Sequence, residues 1–160
     1  MTVLDVRRDE EALTFTLVAE FDAPPARVWL VWADPRQLER WWGPPTWPAT
    51  FDRHDFRAGG RSAYHMTGPD GAKAHGWFEF TLVDAPQRLE FDDGFADQNG
   101  EPDDTIAPTH GIVTFEPLGD KTRMTVLSQF TSLDQLREMA KMGMEEGLRL
   151  AVGQIDEVLA

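Results

Sequence analysis

The chain has 160 residues, enough to bury a core without disulfides or a structural metal, and its 28 acidic against 15 basic residues leave a formal charge of −13. That charge repels phosphate backbones and anionic headgroups, so nucleic-acid binding and attachment to acidic membranes are excluded from the expected roles. Cysteine is absent, which removes thiolate nucleophiles and cysteine-ligated zinc and suits a reducing compartment.

From Met1 to Leu17 the charges of Asp5, Arg7, Arg8, Asp9, Glu10 and Glu11 interrupt the apolar residues, leaving no signal-peptide core. No run reaches the ~18 apolar residues of a membrane span; a cytoplasmic protein with no membrane insertion is expected, forming a single domain over residues 1–160. The segment Leu13 to Phe21 alternates Leu13, Phe15, Leu17 and Ala19 with polar neighbours, the period of a half-buried strand. Asp22-Ala23-Pro24-Pro25 changes the period, with Asp22 as an expected N-cap, and Val28, Trp29, Trp32 and Ala33 follow at helical spacing. Pro35 begins a short second helix through Leu38 to Trp41-Trp42, which Gly43-Pro44-Pro45 stops.

Turn signals then recur at Ala58-Gly59-Gly60, Pro69-Asp70-Gly71, Ala85-Pro86-Gln87 and Leu118-Gly119-Asp120. They delimit an antiparallel meander with strands at Thr50 to Phe56, Ser62 to Thr67, His75 to Val83, Arg88 to Phe91, Gly111 to Phe115 and Thr122 to Phe130. Phe95 to Pro108 is an acidic insertion expected to be too polar to pack. The last segment, Leu133 to Leu159, reads as one long helix with Leu136, Ala140, Met144, Ala151, Ile155 and Val158 on a stripe, capped by Thr131, Ser132 or Asp134. Gly143 and Gly147 interrupt that stripe, each at a cost of ~1 kcal/mol relative to alanine. Two readings are open: the helix backbone packs closely on the sheet, or the missing side chains leave a cavity bordered by flexible Met139 and Met144.

Phe21-Asp22-Ala23-Pro24 with Val28-Trp29, Asp34-Pro35, Trp41-Trp42-Gly43-Pro44, Asp55-Phe56-Arg57 with Gly59-Gly60, Met66, Asp70-Gly71, Pro86 with Arg88-Leu89, Val113-Thr114-Phe115, and Gly143 through Gly147-Leu148 form a recognisable set. In these residues the chain resembles the bacterial family similar to the activator of the heat-shock protein 90 ATPase, within the START-like (SRPBCC) superfamily, over nearly its whole length. The resemblance implies an α+β helix-grip fold: a curved antiparallel sheet of about six to seven strands wrapped around a long C-terminal helix, with two short helices after the first strand. It also implies an apolar molecule held between helix and sheet, and no single activity. The family name implies chaperone contact as an alternative, although the eukaryotic activator makes much of that contact through a separate N-terminal domain without counterpart here.

Candidate chemistry is sparse. His54, His65, His75 and His110 lack chelating spacing, so no metal is expected, and no cofactor fingerprint or nucleophile elbow occurs. An ideal hairpin would set Asp52, His54 and Phe56 on one face opposite Ser62, Tyr64 and Met66. His54, usually apolar at this position in the family, then becomes a candidate general base oriented by Asp52, with Tyr64 as hydrogen-bond donor. Phe78, Phe80 and Leu82 share a strand face, as do Leu89 with Phe91 and Met124 with Val126. The expected ligand wall is Trp41, Trp42, Phe51, His54, Tyr64, Met66, Phe78, Phe80, Phe91, Phe130, Met139, Gly143, Met144 and Gly147. The leading expectation is a non-catalytic protein, monomeric or homodimeric, that binds an apolar or amphipathic small molecule; the alternatives are a cyclase- or hydrolase-type enzyme and a chaperone-associated module.

Overall fold

Alternating apolar residues and recurrent turns build a single antiparallel sheet. The structure, a computed structural model, describes residues 2–160, with only the backbone described for Thr2 and Leu4. Its strands are β1 (Thr2–Asp9), β2 (Thr14–Phe21), β3 (Ala49–His54), β4 (Arg61–Thr67), β5 (Lys73–Asp84), β6 (Arg88–Ala96), β7 (Thr109–Leu118) and β8 (Lys121–Gln129). They form an eight-stranded sheet in the order β1-β2-β8-β7-β6-β5-β4-β3. Between β2 and β3 lie α1 (Pro25–Ala33) and α2 (Pro35–Leu38), and the chain ends in α3 (Leu133–Lys141), α4 (Met144–Val152) and α5 (Ile155–Leu159). This is the α+β arrangement of a helix-grip fold.

The sheet has one strand more than the upper expectation of seven, because the charged N-terminal segment is β1, paired antiparallel with β2. Arg7, Arg8 and Asp9 are exposed there. Charges on an outer strand discourage pairing with other chains and at the same time hide the strand's period from a sequence reading. Pro24, rather than Asp22, is the N-cap of α1, with Pro25 at the first helical position. Asp34 caps α2 by accepting from the Arg36 backbone N–H at 2.9 Å.

The final helix is not continuous. Gly143 adopts φ +87° at the start of α4, a left-handed conformation that breaks the ladder after α3, and a second interruption falls at Gly153. Ser132 caps α3 by accepting from Gln135 N–H at 3.0 Å. The acidic insertion is also more ordered than its composition implies. Asp97 Oδ1 accepts from the N–H groups of Asn99 and Glu101 at 2.8 and 3.0 Å, and Gln135 Nε2 donates to the Ala107 carbonyl at 2.7 Å. Aspartates here satisfy backbone donors that a sheet or helix would otherwise satisfy, and Ile106 packs against the core.

One end of the concave face is densely filled. Trp32 and Trp41 are 1 % and 0 % exposed and meet edge to face with centroids 4.7 Å apart. Trp41 Nε1 donates to the Val31 carbonyl at 2.8 Å, and Gln154 Nε2 donates to the Gly43 carbonyl at 2.7 Å, bolting the Trp-Trp-Gly-Pro segment between α1 and α5. Such aromatic pairs contribute about 0.5–1.5 kcal/mol beyond their area burial.

Candidate functional site

The other end of the concave face is not filled. Between α3–α4 and strands β4 to β8 lies a cavity of about 310 Å³. Met139, Gly143, Met144, Gly147 and Leu148 form its helical side, and Tyr64, Met66, Phe91, Phe95 and Val126 are among its sheet residues, with Trp42 and Pro44 completing the wall. Met142 also lines it and is 56 % exposed, so the mouth opens at the break between α3 and α4. A Cβ added to Gly147 would meet no atom within 4 Å. Gly147 therefore borders empty space, and close packing of the helix backbone on the sheet is not what the glycine serves.

Polar chemistry enters from β6. Leu89, Phe91, Asp93 and Phe95 alternate along this strand, which puts the Asp93 carboxylate at an inward position within an apolar wall. Tyr64 Oη donates to Asp93 Oδ1 at 3.0 Å across the intervening strand β5. Gly76 on β5 makes this reach possible, since a Cβ there would overlap the Tyr64 ring. Burial drives the Asp93 carboxyl up to about 7, against the opposing effect of the Tyr64 hydrogen bond. Burial and the neighbouring Asp93 charge push the Tyr64 hydroxyl well above its ordinary value. Trp42 Nε1 is buried close enough to the Tyr64 hydroxyl to oppose that rise, but it makes no well-formed hydrogen bond among the described residues. Thr109 and Ser128 add hydroxyls, and none of the lining residues is Lys, Arg or His.

Residues 22–160 match the family described as Activator of Hsp90 ATPase homolog 1-like protein. The chain belongs to that family. A solution structure of a protein from Arthrobacter aurescens is 61 % identical, covers 99 % of this chain and 92 % of its own, and superposes with a TM-score of 0.95. The crystal structure of protein Ms6760 from Mycobacterium smegmatis is 45 % identical, covers 99 % and 98 % of the two chains, and gives 0.92. A Staphylococcus epidermidis protein, 24 % identical over 98 % and 93 % with a TM-score of 0.85, shares the fold. Among curated proteins none matches the chain. Among the described residues no helix is long and apolar enough to cross a membrane.

Within this family member the residues expected at the ligand wall divide. Trp42, Tyr64, Met66, Phe91, Met139, Gly143, Met144 and Gly147 line the cavity. Trp41, Phe51, Phe78, Phe80 and Phe130 do not; all are buried core residues. Trp41 and Trp42, adjacent in sequence, thus have different duties: the first plugs the packed end, and the second walls the cavity.

The proposed His54–Asp52 pair does not form. A register shift between Phe51 and Arg53 sends Asp52 outward, where its Oδ2 meets His65 Nδ1 at 3.1 Å, while Phe51 and His54 both turn inward. His54 Nε2 lies 3.0 Å from the Trp32 carbonyl and Nδ1 2.7 Å from Ser62 Oγ. The carbonyl can only accept, so Nε2 carries the proton and Nδ1 accepts from the serine hydroxyl. Burial lowers the His54 pKa despite the hydrogen bonds to backbone carbonyls. With both nitrogens occupied and no place in the cavity wall, His54 is a structural bolt between α1 and β4, not a base. A similar irregularity between Phe80 and Leu82 removes Leu82 from the inward face, where it was expected; it is 36 % exposed. Among the lining residues that were not expected, the ionisable one is Asp93, whose signal was its phase with Leu89 and Phe91. Ending the expected strand at Phe91 concealed it.

Proposed function

We propose that the protein is a cytoplasmic binding protein for an apolar or amphipathic small molecule of on the order of ten heavy atoms, taking about 30 Å³ for each. The observation that carries this reading is the unfilled space beside Gly147, bordered by adaptable methionines and aromatic rings. A helix glycine that neither packs closely nor adopts a left-handed conformation costs stability with no structural return, unless the space itself is used. Native mass spectrometry of freshly purified protein tests it. The expected result is a stoichiometric apolar adduct that Gly147→Leu abolishes without lowering the melting temperature. An apo mass, together with no thermal shift across a panel of apolar and amphipathic compounds of about ten heavy atoms, removes the reading.

A second reading is favoured by one observation, a carboxyl near neutrality hydrogen-bonded to a tyrosine inside an apolar cavity. Asp93 and Tyr64 would then act as an acid–base pair in an enzyme of isomerase or cyclase type. Such an enzyme would exchange α-protons of a bound aryl ketone such as 4-phenyl-2-butanone into D2O by an Asp93-dependent route visible by NMR. Exchange no faster than in buffer would remove it.

A further inference from the structure

The ligand's head group is constrained by what the cavity wall contains and what it lacks. Every lining residue is apolar or neutral except Asp93. Its Oδ1 is engaged by Tyr64, and the carboxylate has no other hydrogen-bond partner among the described residues, so Oδ2 is left to the cavity. An anionic ligand, such as a fatty acid, would bring a second carboxylate beside the first with no Lys, Arg or His in the wall to balance either. A ligand offering only an acceptor would meet an acceptor whenever Asp93 is ionised. A cation reverses each of these penalties. It pairs with a carboxylate that burial otherwise disfavours, and Trp42, Tyr64, Phe91 and Phe95, all in the same wall, are aromatic rings of the kind whose π faces attract an organic ammonium. The chain's formal charge of −13 favours the approach of cations and disfavours that of anions.

Resting on the small-molecule reading above, we infer that the cavity selects apolar amines, holding the ammonium group against Asp93 Oδ2 and the hydrocarbon body against the methionines of α3 and α4. The mouth at Met142 and Gly143 admits the molecule, with its charged end directed toward β6.

Three compounds that differ only in head group separate the possibilities: 4-phenylbutylamine, 4-phenylbutanol and 4-phenylbutanoate, titrated by calorimetry at pH 7.5. The amine is expected to bind at least tenfold more tightly than the other two. Asp93→Asn is expected to bring it down to the alcohol's affinity while leaving the alcohol's own affinity within about threefold. An independent readout is the buffer dependence of the amine's binding enthalpy at pH 7, which reports a proton released as Asp93 ionises against the ligand. Equal affinities for the three compounds, tighter binding of the acid, or an amine preference that survives in Asp93→Asn would overturn the head-group assignment and leave the cavity reading standing. Failure of all three to bind at millimolar concentration, with no thermal shift, would overturn both.

Discussion

At the α1–α5 end of the concave face, Trp32 and Trp41 interlock within 4.7 Å and their indole nitrogens find partners in Met124 and Val31. At the α3–α4 end, a few residues along the same chain, Trp42 Nε1 lacks a well-formed hydrogen bond, Gly147 faces open space and a carboxyl sits in an apolar wall. The helices differ accordingly: α1 packs closely on α5, β7 and β8, whereas part of the space between α3–α4 and the sheet is the cavity. Stability is concentrated at the first end, and the features that cost stability are gathered at the second. That division is what a binding or reacting site on a rigid scaffold looks like, because unpaired polar groups and empty volume persist only where the remaining structure holds them.

The comparison can be broken at either end. Trp41→Ala, in the packed half, is expected to destabilise by about 3–5 kcal/mol in urea unfolding, the usual cost of emptying a large aromatic site. A loss below about 1 kcal/mol would mean that this end is not close-packed.

At the cavity end, Asp93 should make stability depend on pH. Its carboxyl is raised from 3.8 to about 7 in the folded protein, so between these values the native state holds a proton that the unfolded chain has released. Stability therefore falls as pH rises from about 4 to about 7 and levels off above. On this basis Asp93→Asn is expected to be more stable than the parent by up to about 4 kcal/mol at pH 8, with the gap closing by pH 4. Denaturant midpoints at the two pH values measure it, and a gap independent of pH would show that the carboxyl is well solvated.

His54→Ala removes two hydrogen bonds and the ring contacts with Phe51, Phe56 and Phe80. It should cost about 2–3 kcal/mol and leave ligand binding by folded protein unchanged. A loss of binding or activity with stability intact would restore His54 to the site. The smallest effect is expected at Gly147→Ala, where the new methyl group meets nothing within 4 Å. A gain of up to about 1 kcal/mol follows from helix propensity alone, and a loss would mean that the space is not open.

Much of the architecture was legible in local pattern. Alternation of Phe15, Leu17 and Ala19 announced β2, the Gly/Pro turns separated the meander, and Pro24-Pro25 and Pro35 marked the starts of α1 and α2, because each of these signals acts within a few residues of backbone. The pair Gly143 and Gly147 pointed to the cavity, yet the same two residues fitted close packing equally well until the distance from helix to sheet was known. What local pattern could not reveal was phase and partner. The register shift between Phe51 and Arg53 separated Asp52 from His54, and a bond from β4 across β5 to β6 brought Tyr64 to Asp93. Strand alternation is a property of the chain itself, so the sequence alone determined seven of the eight strands, the turns of the meander and the glycines in the final helix. Which inward residues became packed core and which became wall depended on how closely each helix approached the sheet, a matter of contacts between residues far apart in the chain that only the tertiary structure decided.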